Sequence, residues 1–261
     1  MKIKKYVSIV VCFCVFMLST GCAKKIDPSD MGDTLYQVSI INSLLLGNYD
    51  GFVTIGELKK HGDIGLGTFD MLDGEMIVLD GEVYRIDSEG KVIEVDDEVT
   101  TPFAAVTMFD KDAFQKLIDI DSIDILQKQL DMFITNKDLF YVFRIDAQFD
   151  YIKTRSVPKQ EKPYPILSEV TKNQSIFEYH DVKGTVVVAW CPDYIGGVNV
   201  SGYHMHFISE DRTKGGHLLE LRFQNGDVIV DETKSFEMHL SNEGAKGSLT
   251  NIEDEINKVE R

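Results

Sequence analysis

The sequence predicts an α+β fold made of two strand-rich subdomains with mixed sheets. Three observations predict it. Short apolar runs of strand length far outnumber helical segments, so the βαβ alternation of a doubly wound protein is scarce. The runs are separated by turn pairs that tolerate positive φ, among them Asp73-Gly74, Asp80-Gly81 and Asn225-Gly226. Finally, the stretch from Val157-Pro158 to Pro163-Tyr164-Pro165 holds three of the six prolines and marks a junction between an N-terminal subdomain over 34–156 and a C-terminal one over 157–261.

The chain opens on an address. Lys2, Lys4 and Lys5 precede an apolar run from Val7 to Leu18 that is too short to span a membrane comfortably. Leu18-Ser19-Thr20-Gly21-Cys22 reads as a lipobox, although Ser19 stands where leucine is usual, so 1–22 is expected to be a lipoprotein signal peptide with Cys22 acylated after cleavage. The expected location is therefore outside the cytoplasm, anchored at the cell surface by lipid, with free secretion as the alternative. Residues 23–33 are polar, contain Pro28 and Gly32, and read as a tether.

Thr34 with Gln37 has the form of a capping box, which predicts a helix carrying Val38, Ile41, Leu44 and Leu45 on one face and stopping at Gly47. Thr54 with Glu57 repeats that grammar, with Gly62 after the last turn. From Thr68 to Val95 the pattern changes to a β-meander. A helix is expected from about Ser122 to Ile134, with Ile123, Leu126, Leu130 and Phe133 at helical spacing, followed by strands Leu139 to Asp146 and Phe149 to Arg155. Beyond the prolines the predicted strands are Gly184 to Trp190, Val198 to Ile208, His217 to Phe223 and Asp227 to Val230, the last two joined by an Asn225-Gly226 hairpin.

Composition narrows the function. The formal net charge is −16, and the loss of three lysines with the signal makes the mature surface more acidic still. Such a surface repels phosphate backbones, which excludes nucleic acid as a partner and requires any anionic substrate to be held by local cations or a metal. Of four cysteines, Cys12 and Cys14 lie in the signal and Cys22 would carry lipid. Cys191 is left alone and reads as a small buried hydrophobe, so stability must come from burial rather than from disulfides.

The strongest chemical signal is Gly202-Tyr203-His204-Met205-His206-Phe207 followed by Gly215-Gly216-His217. Side chains alternate along a strand, so His204 and His206 project from one face and Tyr203, Met205 and Phe207 from the other, apolar face. A loop through Gly215 and Gly216 can bring the chain back alongside and add His217. Three imidazoles leave a coordination position open, the arrangement of a catalytic zinc site, although other divalent transition metals also accept imidazole. The competing reading is three polar residues on a solvated sheet face. His61, His180 and His239 are isolated and read as structural.

Glu75 begins the strand Glu75-Met76-Ile77-Val78-Leu79 and shares a face with Ile77 and Leu79, where a carboxylate should be paired, metal-bound or shifted in pKa. On the residues alone Arg155, on the face of Lys153 and Tyr151, reads as a surface arginine. The C-terminal glutamates read as a solvated tail. Gly62, Gly65 and Gly67 do not have the spacing or context of a phosphate cradle, and no serine or cysteine sits in a nucleophile elbow.

Taken together, Tyr36-Gln37-Val38-Ser39, Gly47-Asn48-Tyr49-Asp50-Gly51, Gly62-Asp63-Ile64-Gly65-Leu66-Gly67-Thr68-Phe69, Leu72-Asp73-Gly74-Glu75, Asp80-Gly81-Glu82-Val83-Tyr84-Arg85, Thr154-Arg155-Ser156-Val157, Gln160-Glu161-Lys162-Pro163-Tyr164, Lys183-Gly184-Thr185 and the histidine segments resemble the acetolactate decarboxylase family, in order over nearly everything after the tether. The resemblance implies a zinc ion held by His204, His206 and His217, with Glu75, Arg155 and a C-terminal glutamate completing the active site. Glu260 fits that last place best, and Glu253 and Glu255 are the alternatives. It further implies a substrate that is a 2-hydroxy-3-oxo acid, 2-acetolactate, decarboxylated to acetoin and carbon dioxide through a zinc-stabilised enediolate. A homodimer paired through the first sheet is also implied. The rival readings are an exported zinc-binding lipoprotein without catalysis, or another enolate-forming lyase on the same scaffold.

Overall fold

The structure is a computed structural model that describes residues 33–244 and 251–260. The signal peptide, the lipobox and the tether up to residue 32 lie outside the described residues. In chain order the strands are β1 (Thr34–Val38), β2 (Val53–Thr54), β3 (Ile64–Thr68), β4 (Glu75–Leu79), β5 (Glu82–Ile86), β6 (Val92–Glu94), β7 (Thr100–Thr101), β8 (Ala104–Thr107), β9 (Ala113–Ile120), β10 (Phe140–Ser156), β11 (Ser175–Cys191), β12 (Gly202–Ser209), β13 (Gly215–Thr233) and β14 (Ser235–His239). The α-helices are α1 (Ile41–Leu45), α2 (Ile55–Leu58), α3 (Ile123–Leu130), α4 (Leu167–Val170) and α5 (Ile252–Glu260). Among the described residues no helix is long and apolar enough to cross a membrane.

The β-meander over β3 to β6 forms as its turn residues predict. Asp80 and Gly81 both take positive φ between β4 and β5, the conformation a two-residue hairpin demands. Thr54 Oγ1 accepts from the Glu57 backbone N–H at 3.2 Å and opens α2, and Ser122 Oγ does the same for Ile125 at 3.3 Å and opens α3. Residues 34–38, expected to begin a helix, are instead strand β1. That strand is paired on both edges, parallel to β14 and antiparallel to β8, and Leu35, Tyr36, Gln37 and Val38 are all buried. Two ladders and cover on both faces outweigh a local capping signal. Ser39, at φ +61°, turns the chain out of the strand, and only the shorter α1 follows.

Two sheets result. One has the order β14-β1-β8-β3-β4-β5-β6 and is mixed, while the other has the order β10-β11-β12-β13-β9, is antiparallel throughout, and closes on itself through a β10–β13 pairing. Strand membership does not follow the proposed division at 156/157. β9 and β10 pair with strands from the second half of the chain, and β14 returns to pair with β1. The reason is strand length: β10 has 17 residues and β13 has 19, so each spans what the sequence pattern divides into two, and β11, also 17 residues, starts well before the expected Gly184. Leu139–Asp146 and Phe149–Arg155 are therefore parts of one strand.

The expected Asn225-Gly226 hairpin is likewise absent. Asn225 sits opposite Ile118, and Gly226 sits opposite both Leu117 and Ala147 inside β13. The glycine there provides space rather than a turn, because a Cβ would fall 2.8 Å from the ring of Phe223. Phe223, Phe149 and Phe207 fill the interior of the closed sheet, with Leu126 and Leu130 of α3 over one end. Between the two sheets a second core joins Leu35, Ile77 and Ile86 to Val142, Val187 and Ile208. That interface brings Glu75 of one sheet to the histidines of the other.

Because Gly226 faces a buried ring, Gly226→Ala should destabilise the protein by about 1–3 kcal/mol through overpacking. Urea denaturation measures this. An unchanged midpoint would show that the position tolerates a side chain as an exposed turn does.

Candidate metal centre

Alternation along β12 directs His204 and His206 away from the Met205 and Phe207 core, and the ladder to β13 places His217 directly opposite His206. The ring centroids are 5.0 Å apart for His204 and His206 and 5.2 Å for each ring to His217. One nitrogen from each ring lies within 4.8 Å of the other two. The close approach depends on Gly216, at φ +132°, where a Cβ would fall 2.5 Å from the Arg155 carbonyl oxygen. Thr154 Oγ1 fixes the same crossing by donating to the Gly215 carbonyl at 2.8 Å.

All three imidazoles are buried, and burial holds them in the neutral, ligand-competent form: His204 is pushed down to about 3, and His206 and His217 well below their ordinary value. The Arg155 charge and the neighbouring rings act in the same direction. His206 Nδ1 lies 2.8 Å from the Met76 carbonyl and donates to it, so Nε2 carries the free lone pair. That Nε2, with Nδ1 of His204 and Nδ1 of His217, has no hydrogen-bond partner. Leaving a buried nitrogen unpaired costs roughly 1–3 kcal/mol, and a divalent cation within reach of one nitrogen of each ring would give these buried rings a partner. The three residues therefore fit a transition-metal ion, with a coordination position to spare.

Two carboxyls and one guanidinium face these rings. The β3–β4 connection delivers Glu75, with Thr68 Oγ1 donating to the Gly74 carbonyl at 2.7 Å to hold the turn. Glu75 Oε1 accepts from Arg155 Nη1 at 2.6 Å, and its Oε2 is 3.5 Å from His206 Nε2. Arg155 is only 5% exposed, so it is not the surface arginine that its strand neighbours suggest. The β10–β13 register shifts between Lys153 and Thr154, where Leu219 is the extra residue. Lys153 and Arg155 share a face of β10: Lys153 pairs with Glu220, whereas Arg155 is covered by Glu75 and the end of α5.

Helix α5 supplies the last group. Its Ile256 and Val259 pack with Ile41, Leu44, Leu167 and Val170 of α1 and α4, and burying each such side chain contributes about 1.5–3 kcal/mol to a nine-residue helix that would be marginal alone. Arg155 Nη2 donates to the Val259 carbonyl at 2.6 Å, satisfying one terminal carbonyl of the helix. Glu260 Oε2 then lies 3.8 Å from Nε2 of both His204 and His217. Of the alternatives, Glu255 pairs with Lys258 and Glu253 is exposed. Burial raises Glu75 and Glu260 to about 7 each, with Arg155 pulling both back and the Glu260 charge adding to the rise at Glu75.

A small cavity of about 40 Å³ opens onto these groups, walled by Ile41, Leu44, Leu72, Phe103, Val157 and Leu167. The isolated histidines stay apart from it. His61 stacks on Tyr36, His239 Nδ1 is 3.2 Å from the Tyr36 hydroxyl, and His180 lies beside Tyr151. Cys191 is buried, and burial pushes its thiol up to about 12, which suits a core residue rather than a nucleophile.

A divalent ion beside two carboxyls that titrate near 7 favours their ionised forms, so zinc uptake at pH 7 should expel protons, roughly one per ion. Calorimetry of zinc binding in buffers of different ionisation enthalpy measures the number. Glu260→Gln should reduce it, and uptake without proton release would contradict the burial account.

A family model described as alpha-acetolactate decarboxylase matches residues 35–246. Glu260 lies beyond that span and owes its place to the geometry above. The curated alpha-acetolactate decarboxylase of Methanosarcina mazei is 44% identical over 236 residues, covering 89% of this chain and 82% of the relative. That of Brevibacillus brevis is 42% identical over 222 residues, covering 84% and 78%. The crystal structure of alpha-acetolactate decarboxylase from Bacillus subtilis strain 168 superposes with a TM-score of 0.84 at 37% identity, covering 87% of this chain and 99% of that one. With two sheets, a histidine cluster and matches of this extent, the chain belongs to the alpha-acetolactate decarboxylase family.

Proposed function

We propose that the chain decarboxylates 2-acetolactate to acetoin and carbon dioxide at a zinc centre held by His204, His206 and His217. The observation that carries this reading is the meeting of three neutral imidazoles, each with an unpartnered nitrogen, with an Arg155–Glu75 pair and Glu260 at one cavity. Zinc is preferred because three imidazoles with an open position is the arrangement of its catalytic sites. A bound zinc ion supplies a Lewis acid toward the ketone end of the substrate, so the chemistry needs no thiamine or pyridoxal cofactor.

The chain's own groups account for the rest. Loss of carbon dioxide breaks a carbon–carbon bond and leaves its electron pair on the substrate, as an enediolate that must be protonated at carbon. The Arg155 guanidinium attracts the substrate carboxylate into an otherwise acidic molecule and fixes Glu75 and the end of α5 through its two terminal nitrogens. The Glu260 carboxyl accepts no hydrogen bond among the described residues and stands 3.8 Å from the His204 and His217 rings, so it is the group placed to relay a proton to that carbon. Delivery from one side fixes the handedness of the product. The apolar walls exclude bulk water, which lengthens the reach of each charge. Export with a lipid on Cys22 is proposed from the N-terminal address, and a homodimer paired through the first sheet from the family.

Acetoin formation from racemic 2-acetolactate by the soluble chain starting after Cys22 tests the reading. Chelation should abolish turnover and zinc should restore it. His204→Ala should lower kcat/KM by at least about 10³-fold, and Glu260→Gln should lower kcat by about 10²-fold with zinc still bound. Tight zinc binding with no acetoin would replace the enzyme with a metal-binding lipoprotein or with a related lyase.

A further inference from the structure

A second set of ligands lies at the far end of the closed sheet. His217 pairs with Arg155 at one end of β10, whereas Asp231 of the same strand β13 pairs with Val142 near the other. Asp231 has no exposed surface, and neither of its carboxylate oxygens makes a well-formed hydrogen bond, the Asp110 backbone N–H interacting only weakly. Carboxylate oxygens of Asp110 and Asp112, from the segment between β8 and β9, lie with one of its own inside a span of 4.8 Å. Two residues along the same face of β13, Thr233 is also buried, and its Oγ1 has no partner.

The arrangement is held in place. The Asp112 backbone N–H donates to the Val230 carbonyl at 2.9 Å, and Asp112 Oδ2 accepts from the Glu232 N–H at 2.7 Å, so the segment carrying two carboxylates is fastened to the strand carrying the third. The cation beside the cluster is Lys234, whose Nζ lies 3.5 Å from Asp33 and whose charge also acts on Asp110. Burial, followed by the charges of Asp110 and Asp112, pushes Asp231 up to about 8, and the Asp110 backbone N–H opposes this more weakly. A buried carboxylate in this setting must either hold a proton or meet a cation, and two further carboxylates at its mouth are what a cation would use.

We propose that Asp110, Asp112 and Asp231, with Thr233, form a calcium site, separate from the histidine centre, that ties the start of β9 to the end of β13. The ligands are all hard oxygens with no imidazole or thiolate, which favours calcium or magnesium over zinc. The irregular set, with Asp110 and Asp112 exposed enough to admit waters, suits the flexible six- to eight-oxygen sphere of calcium better than the strict octahedron of magnesium. The proposal stands whether or not the histidine centre is catalytic.

The test is calcium chloride titrated into the zinc-loaded protein, followed by calorimetry and thermal unfolding, with sodium chloride at matched ionic strength and magnesium chloride as controls. The expected result is one equivalent of calcium per chain, a saturable rise in Tm of roughly 5 °C, and magnesium binding at least about tenfold weaker. Asp231→Asn should lose the rise, and His204→Ala should keep it. Should Asp231→Asn fail to fold, Asp110→Asn, at an exposed position, should lose the rise in the same way. No heat of calcium binding, a rise that sodium reproduces, equal affinity for magnesium, or a rise retained by the Asn variants would overturn the assignment.

Discussion

Arg155 donates at 2.6 Å to Glu75 Oε1 on one terminal nitrogen and at 2.6 Å to the Val259 carbonyl on the other, and it does so almost fully buried. Those two partners come from distant parts of the chain, and the guanidinium touches both. A buried ion pair of this kind is poor value as stabilisation, since desolvating the charges offsets most of their attraction. What it achieves is position: breaking it would leave an uncompensated charge at a cost of about 3–5 kcal/mol, so Glu75 and the last turn of α5 are held where the guanidinium is. The unpaired Nε shows that the site accepts a further cost to keep the group there.

The guanidinium reaches that position because of the backbone beneath it. Arg155 pairs with His217 and so lies, with Lys153, on the outer face of the closed sheet, which Glu75 of the first sheet and the end of α5 cover at this point. Gly216 lets the two backbones close, and Ser156 Oγ reaches across to the Ile86 carbonyl at 2.7 Å to couple β10 to the first sheet. Neither half of the chain contains the site. The rings belong to the closed sheet, Glu75 to the mixed sheet and Glu260 to the terminal helix, so the site exists only once both sheets have packed and α5 has docked.

This explains what the sequence could and could not reveal. His204 and His206 were legible because period-two alternation is a local property, and His217 because the glycines before it announce a tight return. Glu75 was legible as a charge on an apolar strand face. On its strand pattern alone Arg155 was not, since what buries it is cover from Glu75 of the other sheet and the end of α5, which no local pattern contains. On the residues alone Glu260 reads as tail and only the family resemblance singles it out, although Ile252, Ile256 and Val259 at helical spacing signal a docked helix. The α+β class, the meander and the caps at Thr54 and Ser122 follow from local chemistry and appear in the structure. The helix expected at 34–38 and the hairpin at Asn225-Gly226 fail because long-range strand pairing overrides local propensity.

The most direct test is kcat for acetoin formation measured together with zinc content in Arg155→Lys. An ammonium keeps the charge but cannot hold Glu75 and the Val259 carbonyl at once. The account predicts one zinc per chain, because the ligands are the three histidines, with kcat lowered about 10²-fold and zinc-dependent stability retained. Full turnover in the lysine variant would show that the guanidinium bridge does not organise the site, and loss of zinc would show that the metal centre cannot form without it.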